Sequence, residues 1–111
     1  MSNIELIELS KELYAINKRM DEGILKAYSL AKKKAAAERE YRKELAKEML
    51  RLREEKYPVS IIHDIARGNL ADLKFERDVA EDLFKTAITA LNTLQTEASV
   101  LQSIKKHHEV I

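Results

Sequence analysis

The stretch Leu70–Leu101 reads LADLKFERDVAEDLFKTAITALNTLQTEASVL, and its spacing decides the fold. Leu70, Leu73, Arg77, Ala80, Phe84, Ala87, Leu91, Leu94, Ala98 and Leu101 follow one another in alternating steps of three and four. All of them except Arg77 are apolar. A 3.5-residue repeat held that long keeps one narrow stripe of a helix turned towards another helix. A second stripe opens the chain, at Leu6, Leu9, Leu13, Ile16 and Met20. Between the two lies one break, Tyr57 to Gly68, which holds the only proline.

The spacing predicts an all-α protein, a long antiparallel helical hairpin of coiled-coil type, in a single domain over residues 1–111. Its first helix is expected at about 3–56, a short helical turn at 57–68 and a second helix at about 69–107. Ser2 followed by Glu5 fits a reciprocal N-terminal capping box. Pro58 ends the first helix because it cannot continue the hydrogen-bond ladder. Ser60 is the expected cap of the turn helix, Gly68 its left-handed stop, and Asn69 the cap of the last helix. Gly23 reads as a weak point of the first helix. Beyond it the stripe is expected to change phase, through Ile24, Ala27, Ala31, Ala35, Glu38, Tyr41 or Arg42, Leu45, Met49 and Leu52, like a stutter.

Composition agrees with long helices. Of 111 residues, 45% are apolar and 35% charged, with two glycines and no tryptophan. That suits a helical rod and excludes a disordered chain, whose apolar residues would be sparse and aperiodic. There is no cysteine, so disulfides are excluded. No run approaches the roughly 20 apolar residues of a membrane span. The N-terminus lacks the basic and apolar regions of a secretory signal, so a cytoplasmic location and no membrane partner are expected.

Two rods of about 80 and 58 Å would leave the first overhanging by about 20 Å. That overhang would expose Leu6, Leu9 and Leu13. A homo-oligomeric bundle or a protein partner is therefore expected, with Leu6, Leu9, Leu13, Ile16, Met20, Ile61, Ile62 and Ile65 as the contact surface.

Charge supplies the other clue. Residues 1–23 carry −2, residues 24–56 carry +5 and residues 57–111 carry −2. Lys32, Lys33, Lys34, Arg39, Arg42 and Lys43 are the residues that could follow a phosphate backbone. Glutamates interleave with them, which favours a solvated mixed-charge face over a nucleic-acid track. Tyr14, Tyr28, Tyr41 and Tyr57 are expected along the edge of the seam.

Chemistry-bearing sets are missing. His107-His108-Glu109 are helical neighbours that point apart and do not converge as metal ligands. His63-Asp64 has no nucleophile in a catalytic setting. The two glycines are 45 residues apart and form no phosphate loop. No catalytic residue, cofactor or metal is expected, and the chain is not expected to be an enzyme.

Three quoted segments carry a resemblance: Tyr57–Gly68 (YPVSIIHDIARG), Leu73–Glu81 (LKFERDVAE) and Ala87–Leu94 (AITALNTL). Asp64, Ala66 and Gly68, then Arg77, Asp78, Ala80 and Glu81, then Ala87, Ile88, Ala90, Leu91 and Asn92 match their pattern. Over this second half the chain resembles small helical proteins encoded by phages and prophages of Gram-positive bacteria. That family brings no assigned activity. The resemblance implies an oligomeric accessory factor in or near phage DNA replication or recombination, acting in the host cytoplasm. A binder or inhibitor of a host protein is the alternative, and a structural or secretion-type hairpin a further one. The basic tail Lys105-Lys106-His107-His108 departs from the family's more aromatic tail.

Overall fold

In the computed structural model, residues 2–110 are described, with side chains from residue 2 to residue 108. The chain is all-α. Its helices are α1 (Asn3–Glu54), α2 (Val59–Asn69) and α3 (Ala71–Val110), and no strand occurs among the described residues.

The start of α1 forms as its sequence requires. The Glu5 backbone N–H donates to Ser2 Oγ at 3.2 Å, and the Ser2 N–H donates to Glu5 Oε2 at 3.0 Å. This reciprocal box satisfies amides that a helix N-terminus leaves without partners. At the other end, Lys56 takes the left-handed conformation, φ 65°. The Tyr57 N–H reaches Leu52 O at 3.2 Å and the Lys56 N–H reaches Arg53 O at 3.0 Å. That pair of bonds is a Schellman stop, made here without the usual glycine. Pro58 follows at φ −59° and ψ 134°, and α2 begins directly after it.

The connection is therefore shorter than the expected turn. Pro58, not Ser60, stands at the N-cap of α2, and no side chain caps that end. Gly68 lies inside α2 with a negative φ, so it is not a left-handed stop. Asn69 is the last residue of α2 and does not cap α3. Leu70, at φ −109° and ψ 22°, separates the two helices, yet its N–H still reaches Ala66 O and its carbonyl accepts from Lys74 N–H. Hydrogen bonding passes through the joint almost unbroken, which is why no glycine or cap is needed there.

The chain forms two compact units. One comprises the chain up to Tyr28 with Lys85 onward, and the other is Ser29–Phe84. In the first, α1 and α3 pair antiparallel, and Leu13 and Ile16 form a core with Leu94 and Ala98, flanked by Met20 and Leu101. Leu9, Leu13 and Ile16 are each only 8% exposed. The expected overhang is thus absent, because Leu9 and Leu13 are covered within this unit. In the second unit the core is Leu52, Ile62 and Ala66, with Leu45, Met49 and Ile65 against it. Here α2, somewhat longer than the short helix expected within the turn, packs on α1, and Leu52 and Ala66 are almost completely buried.

All ten seam positions from Leu70 to Leu101 are buried or half-buried. The α1 stripe needs a correction. Ile24 is 57% exposed and Ala35 is exposed, whereas Gly23, Ala27, Leu30, Lys34, Ala37 and Tyr41 turn inward. The three-four alternation therefore continues through Gly23 with no stutter at that point. Gly23 sits there because Leu91 fills its space. A Cβ at Gly23 would stand 2.7 Å from Leu91 Cδ2.

Candidate functional site

In the second unit the seam carries polar and aromatic groups, set by the helical phase of Lys34, Glu38, Tyr41, Arg77 and Phe84. Tyr41 is the buried member, 5% exposed. The Arg77 guanidinium lies over its ring, 4.5 Å from the centroid. Arg77 reaches Asp78 Oδ1 at 3.1 Å and the facing carboxylate of Glu38 at 3.6 Å. Burial acts against its charge, but Asp78 first and Glu38 after it outweigh that and hold the guanidinium firmly protonated. The Asp78 carboxyl is lowered from its ordinary value by Lys74 first and Arg77 second. One α-helical turn away, Lys34 Nζ stands 5.1 Å from the Phe84 ring centroid. An open groove runs beside these residues, lined by Ala31, Ala35 and Glu81 as well. A charged stem in the seam gives up little apolar packing and penalises any sliding of one helix past the other.

A second polar tie fixes α2. Glu48 accepts from Asn69 Nδ2 at 3.0 Å and pairs with Arg51, which also pairs with Glu55. Arg51 first, then Asn69, lower the Glu48 carboxyl below its ordinary value.

The expected contact residues separate into two groups. Leu9, Leu13, Ile16 and Ile62 are buried within the chain itself, and Leu6, Met20 and Ile65 are half-buried. Only Ile61 of that set is exposed. The reason is the covering of α1 by α3 and α2, which the expected turn did not allow for. The expected nucleic-acid residues do not share one face. Lys34 is in the seam, and Arg42 is paired with Glu38 at 2.6 Å. Lys32, Lys33, Arg39 and Lys43 are exposed. Of the tyrosines, Tyr41 is interior, while Tyr14, Tyr28 and Tyr57 are exposed. His63 is exposed, and the Glu109 side chain lies outside the described residues. Among the described residues no three His, Asp or Glu side chains come together as metal ligands. No helix among them is long and apolar enough to cross a membrane.

Sequence reasoning missed a different surface. Phe75, Val79 and Leu83 recur every four residues along α3 of the second unit and are 69%, 39% and 51% exposed. They sit one flank away from the seam, among Asp72, Glu76 and Asp82, all exposed. On α1 of the same unit the exposed residues include Lys33, Ala36, Arg39 and Lys43. The signal was present as the second apolar set in Leu70–Leu101, outside the three-four stripe.

Comparison of the chain with known protein families, with curated proteins and with solved structures finds no match in any of the three.

Proposed function

We propose that the chain is a non-enzymatic interaction protein that works as an oligomer. The observation that carries this reading is the amount of surface left in water. The chain exposes 8469 Å², whereas a monomer of 12.8 kDa ordinarily exposes about 6,300 Å². The excess, about 2,200 Å², exceeds the roughly 800 Å² that each partner contributes to a standard protein interface. Large apolar side chains populate it, with Tyr14 and Leu25 on α1 and Phe75 and Val100 on α3. The ion pairs lie mostly within single helices, and Arg77–Glu38 joins α3 to α1.

The resemblance of the second half to phage-encoded helical proteins suggests an accessory role in phage DNA replication or recombination. Direct contact with nucleic acid is not part of the reading, because Arg42, Lys47 and Arg51 pair with glutamates of their own helix. A second reading, a binder of a host protein, is favoured by Tyr57, Val59 and Ile61, which stand exposed together around the α1–α2 connection. Sedimentation equilibrium at low micromolar concentration tests the main reading. More than one chain per particle is expected. A monomer that persists to 100 µM overturns it.

A further inference from the structure

The geometry points to a second copy of this chain as the occupant of the Phe75–Val79–Leu83 face, seated so that α1 of each copy covers α3 of the other. The inference rests on the oligomeric reading above and adds the surface and its pairing.

Three observations carry it. First, the face is apolar and open, as the exposures of Phe75, Val79 and Leu83 show. The i, i+4 spacing places all three on one side of α3. Second, its charges have one sign. Asp72, Glu76 and Asp82 stand among the apolar residues, and all are exposed. Third, the same unit carries the complement on α1. Lys33, Arg39 and Lys43 are exposed there around Ala36, whose small side chain permits close helix approach. Glu40 is the acidic exception on that face. An acidic, apolar helix face and a basic, alanine-containing one in a single unit make that unit self-complementary.

Self-complementarity of this kind closes under a two-fold axis. Each α3 then meets the partner's α1, and the contact occurs twice. Pairing α3 with its own symmetry mate across Val79 would instead bring Glu76 near Asp82, which like-charge repulsion opposes. The basic middle of the chain thereby acquires a target, the acidic face of a second copy. Fixed charges on both sides also set which way round the copies meet.

The test uses two full-length charge reversals. One variant carries Lys33→Glu with Lys43→Glu, so that both its faces are acidic. The other carries Glu76→Lys with Asp82→Lys, so that both are basic. Each alone should dimerise at least about a hundredfold more weakly than the unmodified chain. Mixed in equal amounts they should form a heterodimer of near-normal affinity, since both contacts are again of opposite charge. Recovery on mixing also shows that each variant is folded.

The unmodified chain supplies a check that needs no substitution. Its dimer should weaken about tenfold between 50 and 500 mM NaCl, because the rim charges are screened. If both variants dimerise as the parent does, or salt has no effect, this face is overturned while the oligomeric reading stands. A parent assembly of odd order overturns the two-fold pairing. A parent that stays monomeric overturns both.

Discussion

Gly23→Ala tests the register of the first unit directly. In an exposed helix this exchange stabilises by about 1 kcal/mol, because alanine loses less backbone freedom on folding. Here the added methyl would lie 2.7 Å from Leu91 Cδ2 and 3.4 Å from Leu91 Cγ. The nearer atom is the far end of a half-buried side chain, so Leu91 can turn away. Doing so costs about 0.5–1.5 kcal/mol in rotamer strain. Gain and cost nearly cancel, and Gly23→Ala alone should change stability by less than about 1 kcal/mol in either direction. In a Leu91→Ala background the obstacle is gone, and the same exchange should recover its full gain of about 1 kcal/mol, or about 4 °C in Tm. The double-mutant cycle should therefore show a coupling of about 1 kcal/mol between positions 23 and 91. Urea unfolding of the four proteins at one concentration measures it. A gain of about 1 kcal/mol in both backgrounds, with no coupling, would mean that Gly23 does not face Leu91 and that the helices are paired in another register.

The remaining predictions concern the core, the α1 stop and acid. Leu52→Ala should destabilise by about 3 kcal/mol, since Leu52 is the largest side chain almost wholly buried; a loss under about 1 kcal/mol in urea unfolding would contradict the packing of α2 on α1. Leu94→Asp places a charge in the first unit's core and should abolish the cooperative melt seen by circular dichroism, while a Tm within a few degrees of the parent would refute the buried face. Lys56→Gly should stabilise by about 1 kcal/mol, read as a Tm rise, because φ 65° strains any residue with a Cβ. Glu48 and Asp78 are both lowered in the folded chain, so their stabilisation is complete above the ordinary carboxylate range and disappears as pH falls through their folded values. Thermal melts should hold steady from pH 7 to about pH 5 and decline below the ordinary glutamate value of 4.5, and Glu48→Gln should shallow that decline.

The helices were legible because each depends on neighbours in sequence. The α3 stripe from Leu70 to Leu101, the Ser2–Glu5 box and the stop before Pro58 are local patterns, and all three form as read. What was misread depends on partners far away in sequence. Gly23 reads locally as a weakness, since its helix cost is visible in the sequence and Leu91 is 68 residues distant. Gly68 and Asn69 have the chemistry of a stop and a cap, yet the backbone bonds through Leu70, and the Asn69 amide goes to Glu48 instead. A short helical turn over residues 57–68 implies a shorter return leg, which leaves Leu9 and Leu13 without the cover they possess.

If the N-terminal leucines had been bare, they would have been the surface to seek a partner. With those leucines covered by α3, the unmet demand moves to Phe75, Val79 and Leu83, on the outer side of a helix whose inner side is already occupied. On the proposed pairing, the acidic surround of that face and the basic one on α1 make a second copy the matching partner. Arg77, held on Tyr41 and between Glu38 and Asp78, opposes sliding within the pair, so the two faces are presented in a fixed relation. Breaking that tie should therefore weaken assembly more than it weakens helicity. Arg77→Leu keeps apolar contact with Tyr41 but removes the charge that prefers one register. Its helicity should stay within about a tenth of the parent's, while its dimer already dissociates at a higher protein concentration than the parent's. Equal affinity for the variant and the parent would show that Arg77 only fills space.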